Sequence, residues 1–327
     1  MFSIIDNIKD KLWGLSFVAL ISFVSVILSE YIEIGSIPVA IIIGFIINNL
    51  FVLKSNFSPG INFSEKYLLN IAIILMGFNF NKDMISKLDS QFIIYIISFV
   101  LLAFIITFII SKIFKFSTEL SILLGFGNAI CGSSAIASVS PILSSKKEDI
   151  LLSISSINII GTISIFLLPL LLQYYSVTDS DNQGLIIGGT IQAVGQVSAA
   201  GSMISSEVSE TAVIIKMCRI LLLFPALIIA SIIKQFFSKT PKKKYQYNFP
   251  FFIIGFIIVV LLNNYNLFHQ DSVTIFKILS KYCLLFSMSA LGLKVSFKEI
   301  AKNGLKIFSI TFIAFIVQVF IVIQIVT

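Results

Sequence analysis

One apolar stretch of the sequence carries two basic side chains at a spacing that could bind an anion. Lys216 and Arg219 are three residues apart, which places them on one face of a helix. Arg219 is the single arginine in a chain with 22 lysines, which suggests a need that lysine does not meet. A planar guanidinium binds an oxyanion through two parallel hydrogen bonds, whereas an ammonium acts as a point charge. The alternative is that both side chains extend toward an interface.

Two other segments combine glycine, serine and amide side chains within apolar surroundings. They cover residues 125–135 and 188–201. A helix that begins inside an apolar region directs unpaired N–H groups and a partial positive charge at that point, which favours an anion. Half-helices of this kind are expected to start at Ser133 and near Gly195. The alternative is that the small residues only allow helices to pack closely.

Together these residues describe a candidate oxyanion site built from backbone N–H groups, hydroxyls, amides and two basic side chains. The sequence contains no evident metal-ligand cluster, nucleotide-binding loop or paired nucleophile and base, so neither a cofactor nor an enzymatic reaction is expected. The candidate substrate-binding residues are Asn128, Cys131, Gly132, Ser133, Ser134, Gln192, Gln196, Ser198, Lys216 and Arg219.

The composition indicates where such a site would lie. Of the 327 residues, 57% are hydrophobic and 12% are charged, and the mean hydropathy is +1.03. Soluble domains are about 45–50% apolar and about a quarter charged. These values exclude a soluble enzyme, a disordered protein and a nucleic-acid binder. The net charge of +7 is therefore attributed to basic cytoplasmic loops rather than to nucleic-acid binding.

Apolar segments of membrane-spanning length fill the chain, since a spanning helix needs about 20 such residues. We predict an all-α polytopic membrane protein with about 9–11 transmembrane helices. It is expected to form a single integral membrane domain over residues 1–327. The predicted segments are Leu12–Ser29, Ser36–Leu53, Tyr67–Phe80, Phe92–Lys112, Thr118–Leu143, Ile150–Tyr174, Gly184–Ser205, Thr211–Phe237, Phe249–Leu262, Thr274–Leu293 and Leu305–Val326.

The sequence also contains an internal repeat. The stretch from Lys66-Tyr67 to Gly77 recurs 215 residues later, from Lys281-Tyr282 to Gly292. The corresponding segments are seven apart, so they run in opposite directions if each segment crosses once. Two inverted-topology repeats of this kind are typical of secondary transporters. The predicted halves are approximately residues 36–174 and 184–327, preceded by an extra helix over residues 12–29.

Charge in the loops predicts the orientation of the chain. Lysine clusters, including five in the Lys234–Lys244 run, predict a cytoplasmic N-terminus. The segments at 118–143 and 184–205 could each cross the membrane as a broken helix or return as a re-entrant hairpin at the midplane. Hairpins place more lysines inside and are weakly favoured.

Acidic residues are absent from the middle of every predicted span. All sixteen fall in or near loops or helix ends. Cation-coupled antiporters commonly hold the ion on an intramembrane carboxylate. The absence of such a carboxylate argues against a cation/proton antiporter, although an inverted-repeat scaffold is compatible with one.

Three stretches resemble the YeiH family of bacterial inner-membrane proteins, which are called putative sulfate exporters. They are Gly127-Asn-Ala-Ile-Cys-Gly-Ser-Ser-Ala-Ile136, Gln196-Val-Ser-Ala-Ala-Gly201 and Lys216-Met-Cys-Arg-Ile-Leu-Leu-Leu-Phe-Pro225. The resemblance covers nearly the whole chain and implies a transporter of the inner membrane. In one place the chain departs from the family pattern, which has His followed by an acid where this sequence has Gln192-Ala193. A coupling proton carried by that acid would be unavailable here.

The expected function is secondary transport of a small, sulfur-containing, inorganic or organic oxyanion across the bacterial inner membrane. An anion channel and a cation/proton antiporter are the alternatives. The expected partners are the anionic substrate and the lipid bilayer, without nucleic acid, and a homodimer is an open alternative.

Overall fold

The computed structural model describes residues 2–32, 35–51, 53–80, 90–143, 145–223, 225–230, 252–265, 267–295 and 304–327. Within these ranges all regular secondary structure is helical, which confirms the all-α class. A chain in lipid must satisfy its backbone hydrogen bonds internally, and helices do so within one segment. The Lys234–Lys244 run lies outside the described residues.

Seven described helices are long and apolar enough to cross a membrane, which supports a multi-pass membrane protein. They are Lys11–Tyr31, Ser55–Asn79, Gln91–Ile113, Lys147–Tyr174, Ser206–Ala230, Gln270–Gly292 and Leu305–Val326. The regular α-helices are α1 (Phe2–Ile32), α2 (Ser36–Leu50), α3 (Ser58–Phe63), α4 (Leu69–Met76), α5 (Ser90–Ile113), α6 (Thr118–Ala129), α7 (Ser133–Leu143), α8 (Lys147–Tyr174), α9 (Ser180–Thr190), α10 (Val194–Ser202), α11 (Ser206–Leu221), α12 (Phe252–Asn264), α13 (Gln270–Gly292) and α14 (Leu305–Val326).

The chain divides into two compact units. The first comprises Met1–Ser86 and Phe251–Lys298, and the second comprises Lys87–Pro250 and Glu299–Thr327. Each unit therefore takes helices from both predicted repeat halves. The single-domain description over residues 1–327 stays a prediction.

In the first unit, α4 runs antiparallel to α13, its counterpart in the sequence repeat. The Ser280 hydroxyl donates to the Ala72 carbonyl oxygen at 2.8 Å. Just beyond the end of α4, the ring of Phe78 stacks on Phe276 with centroids 4.8 Å apart. From Ala72 to Phe78 the chain advances, whereas their partners go back along α13 from Ser280 to Phe276. The two segments therefore run in opposite directions. The inverted repeat over the whole chain stays a prediction.

A reciprocal pair of asparagine contacts also follows the 215-residue spacing. The Asn49 side chain donates to the Val295 carbonyl oxygen at 2.9 Å. Asn264 donates to the Phe80 carbonyl oxygen at 3.3 Å. Asn49, near the end of α2, thus binds the backbone that follows α13. Asn264, at the end of α12, binds the backbone that follows α4. Such reciprocity is the contact pattern that a two-fold relation produces.

The second unit contains a helical hairpin formed by α6 and α7. At the start of α6, Leu120 and Leu124 cluster with Ile307 and pack near Leu152 of α8. At the turn, a Cβ placed on Gly132 would lie 3.3 Å from the side chain of Ile157, about one and a half helical turns farther along α8. Helix α7 then ends at residue 143, shortly before α8 begins at residue 147. Both ends of the hairpin are therefore near the N-terminal end of α8.

Helices α9 and α10 form a second hairpin, which lies along α11. A Cβ on Gly184 would lie 2.6 Å from Thr211, and one on Gly188 would lie 2.8 Å from the Ile215 Cβ, so α9 runs parallel to α11. Helix α10 runs back toward the start of α11. There the Ser198 hydroxyl lies 3.2 Å from the hydroxyl of Ser209.

The two hairpins approach α8 from opposite ends. The first precedes α8 in the chain, whereas the second follows the C-terminal end of α8. The start of α10 reaches the middle of α8, where the Gln196 side chain donates to the Asn158 carbonyl oxygen at 3.0 Å. Because Gly132 lies against the neighbouring Ile157, the two hairpin tips meet midway along α8. Both segments of uncertain course thus fold as helical hairpins, and their position relative to the membrane stays a prediction.

Replacement of the reciprocal asparagines tests the local two-fold relation. Asn49→Leu and Asn264→Leu should each lower the free energy of unfolding by about 0.5–1.5 kcal/mol, because each removes one of the two asparagine donors to a backbone carbonyl oxygen. Unfolding in detergent measures the loss. Asn62→Leu is the control, since the Asn62 amide is exposed and bonds only the Ser58 hydroxyl at 3.3 Å among the described contacts. A large loss at one asparagine and none at the other would contradict the relation.

Substitution of Gly188 tests the packing of the second hairpin. Gly188→Ala should destabilise the protein by about 1–3 kcal/mol, because the methyl group would meet the Ala212 carbonyl oxygen, which belongs to the backbone. Gly255→Ala should cost clearly less, because the methyl group there would meet the side chain of Ile74 rather than backbone atoms. Equal thermal stabilities of the two variants would count against close packing of α9 on α11.

Candidate functional site

The two basic residues singled out from the sequence are both fully buried on α11. The helix begins after Ser205, whose hydroxyl accepts a hydrogen bond from the Val208 N–H at 3.1 Å. Lys216 and Arg219 lie several turns farther along, where α11 passes the hairpin tips. They are the charged side chains that the described part of the chain buries.

Arg219 donates to backbone carbonyl oxygens of both hairpins. Its Nη1 donates to Gly188 at 2.8 Å and Ile191 at 3.2 Å, at the end of α9. Its Nη2 donates to Ala129 at 2.6 Å and Asn128 at 3.2 Å, at the end of α6. The Nε donates to the Ala129 oxygen at 3.2 Å. All five N–H groups of the guanidinium are therefore directed at helix C-termini.

Lys216 binds the same two ends. Its Nζ donates to the carbonyl oxygen of Ile191 at 2.7 Å and also to that of Ile130. The last carbonyls of a helix have no intrahelical partner and carry the negative end of the helix dipole. The two basic side chains satisfy these groups and hold the hairpin tips together.

This arrangement differs from the direct oxyanion contact expected of Arg219. The donors that the sequence assigns to an anion go to protein carbonyls in this structure. A direct contact would require the guanidinium to release some of them. The role that the geometry does give Arg219 is to position both tips.

The helix starts predicted from the sequence are present at the tips. Helix α7 begins at Ser133, and Gly132 before it has a positive φ of 67°, which favours glycine. Ser133 is half-buried and Ser134 is exposed. The Cys131 side chain is buried.

Helix α10 begins at Val194, one residue before the predicted start. The Gln196 side-chain oxygen accepts from the Ala193 N–H at 3.3 Å, and thereby occupies one N–H at this helix start. Ser198 lies farther along α10 and bonds Ser209 at 3.2 Å. The structure thus leaves Ser198 outside the contacts of Lys216 and Arg219.

A network of buried amides joins the two tips. Gln192 Nε2 donates to Asn128 Oδ1 at 2.7 Å. Asn128 Nδ2 donates to Thr107 Oγ1 at 2.9 Å and to Gln318 Oε1 at 3.1 Å. All four residues are fully buried. Thr107 and Gln318 are absent from the sequence prediction, although a glutamine in the middle part of the apolar stretch 305–326 is a visible signal.

The electrostatic balance at the tips is positive. Arginine stays protonated in proteins, and the described residues bury no carboxylate that could offset it. The C-termini of α6 and α9 bring partial negative charges, while the N-termini of α7 and α10 bring partial positive charges of similar size. The positive charge of Arg219 therefore remains. In the described residues no group of three or more His, Cys, Asp or Glu could hold a metal ion.

Apolar helices and two opposed hairpins around a buried basic pair define an all-α, multi-pass membrane protein. The chain matches the family model described as conserved hypothetical protein 698 over residues 13–311, and it belongs to that family. This result confirms the family resemblance indicated by the sequence motifs.

Several relatives share the name UPF0324 membrane protein. The relative from Staphylococcus aureus (strain MRSA252) is 32% identical over 305 residues, which are 92% of each chain. The relative from Clostridium perfringens (strain 13 / Type A) is 31% identical over 310 residues, 93% of this chain and 91% of the relative. The relative from Staphylococcus epidermidis is 30% identical over 298 residues, 90% of each. These names support a membrane protein and state no substrate.

Substitution of Arg219 distinguishes a positioning role from a direct ligand role. Arg219→Lys and Arg219→Met should each lower the free energy of unfolding by about 2–4 kcal/mol, because neither side chain can satisfy the carbonyls of both hairpins. Unfolding in detergent without added anions measures this loss. Wild-type unfolding of Arg219→Lys, together with lost anion binding, would instead favour a direct contact with the ligand.

Proposed function

We propose that this protein is a secondary transporter that moves a small oxyanion across the bacterial inner membrane. The observation that carries the proposal is the positive charge of Arg219 at the meeting point of two opposed hairpins, without a buried carboxylate among the described residues. An anion is the ligand that this balance favours. Orientation with a cytoplasmic N-terminus belongs to the same proposal.

The position of the tips supports carriage rather than simple binding. Transporters commonly place the substrate near the middle of the membrane, where interrupted helices direct their ends at it. Here α7 and α10 both begin where Lys216 and Arg219 hold the preceding helices. Backbone N–H groups near Ser133 and Val194 are the proposed anion contacts, and Arg219 supplies the electrostatic attraction. No covalent step is proposed.

The substrate class within the oxyanions is proposed from the family resemblance. Relatives in the YeiH family are called putative sulfate exporters, so sulfur-containing oxyanions are the first candidates. Because Gln192-Ala193 stands where that family pattern has His and an acid, we propose that an anion gradient or the membrane potential drives transport.

Binding and flux measurements test the proposal separately. Purified protein should be thermally stabilised by sulfate, sulfite, thiosulfate, a sulfonate or a carboxylate, because a bound ligand stabilises the folded state. Chloride salts of the same cations at equal ionic strength are the control. Stabilisation by sodium alone, irrespective of the anion, would favour a cation antiporter and overturn the proposal.

Flux into proteoliposomes distinguishes a carrier from a channel. The stabilising anion, in radiolabelled form, should enter with saturable kinetics and should accumulate transiently against an unlabelled internal pool. Ohmic single-channel currents without such counterflow would replace the transporter with an anion channel.

A further inference from the structure

One buried acceptor at the hairpin tips has no hydrogen-bond partner. Gln192 is fully buried, and its Oε1 is unbonded within the described structure. A buried polar group left without a partner costs about 1–3 kcal/mol. Its position is next to the basic cluster, because the preceding residue, Ile191, accepts hydrogen bonds from both Lys216 and Arg219.

The amide network fixes which atom of Gln192 remains unpaired. At one end, Gln318 Nε2 donates to the Gly189 carbonyl oxygen at 3.4 Å, which only accepts. Gln318 Oε1 must then accept from Asn128 Nδ2, and Asn128 Oδ1 must accept from Gln192 Nε2. Rotation of any one of these side-chain amides by 180° would place two donors or two acceptors against each other.

A second hydrogen bond fixes the orientation of the Asn128 amide in the same way. The Thr107 hydroxyl donates to the Ala103 carbonyl oxygen at 2.7 Å, so its oxygen accepts the second hydrogen of Asn128 Nδ2. The orientation of Asn128 is therefore set independently at Thr107 and Gln318. The network consequently presents an acceptor, not a donor, at Gln192.

Neighbouring basic side chains do not supply the missing donor. Arg219 directs all five N–H groups at carbonyl oxygens. Lys216 Nζ donates to Ile130 and Ile191, and no contact joins it to Gln192 Oε1 in the described structure. A ligand that completes this arrangement must itself carry a donor, while the charge of Arg219 favours an anion.

We propose that the substrate is a singly charged oxyanion that carries an O–H group, and that this hydroxyl donates to Gln192 Oε1. The inference rests on the proposed function and narrows its substrate class. A fully deprotonated oxyanion has no hydrogen to donate, so it would place a second acceptor oxygen against Gln192 Oε1. Gln192 is thus a residue that determines specificity.

Two pairs of anions of matched shape and charge test the inference on the wild-type protein. Bicarbonate and nitrate are planar monoanions, and dihydrogen phosphate and perchlorate are tetrahedral monoanions, but only the first of each pair has a hydroxyl group. Dissociation constants come from the concentration dependence of thermal stabilisation at fixed pH and ionic strength. The hydroxylated anion of each pair should bind about tenfold more tightly or better, as expected for a hydrogen bond in a site that excludes water.

A variant assigns the preference to Gln192. Gln192→Met keeps the length of the side chain and removes the acceptor, so the ratio of dissociation constants within each pair should fall to near one. Gln183→Met is the matched control, because Gln183 lies on α9 away from the tips and donates to the Val177 carbonyl oxygen at 2.6 Å. This control should retain the wild-type ratio.

The outcomes separate this inference from the proposed function. Equal binding of the two anions within both pairs would overturn the hydroxyl contact and leave an anion transporter standing. Failure of both bicarbonate and dihydrogen phosphate to bind would also overturn the hydroxyl contact. The proposed function would fall with it only if sulfate, sulfite and thiosulfate failed as well. A preference that persists in Gln192→Met would assign the hydroxyl to another residue and refute the role of Gln192.

Discussion

The second unit depends on the hydrogen bonds between two buried basic side chains and the carbonyl oxygens at the ends of two helices. Inside lipid there is no water to satisfy a helix end, so an interrupted helix persists only where protein supplies the missing donors. Arg219 and Lys216 supply them for α6 and α9 together. The same contacts place the starts of α7 and α10 beside each other, and so create a buried polar region that carries the charge of Arg219.

Small residues make these contacts possible. Gly188 lets α9 approach the backbone of α11 closely, since a side chain there would strike the Ala212 carbonyl oxygen. Gly132 supplies the left-handed turn that separates α6 from α7. Close packing at these glycines also brings the carbonyl oxygens within reach of Arg219. The packing alternative and the site interpretation therefore both apply to them.

Much of this architecture is predictable from the sequence, because composition and hydropathy are properties of whole segments. The interruptions within 125–135 and 188–201 and the helix start at Ser133 follow from polar and glycine residues in apolar surroundings. The partners of Arg219 do not follow, because every residue has a carbonyl group and the type of residue carries no information about which one is free. Similarly, Gln318 joins Asn128 across 190 positions, a distance over which periodicity says nothing. The inverted repeat and the orientation in the membrane remain predictions.

The shared anchoring of two hairpins by one side chain constrains how the protein is made. Ala129, which ends the first hairpin's α6, precedes its arginine partner by 90 positions in the chain. At about 5–20 residues per second, a ribosome needs roughly 5–20 s to synthesise that interval. During this time the carbonyl ends of the first hairpin have no arginine to bind, and lipid offers no substitute. The nascent first hairpin must therefore wait at the membrane surface or beside the insertion machinery until α11 arrives, so that the two hairpins dock as one late step of biogenesis.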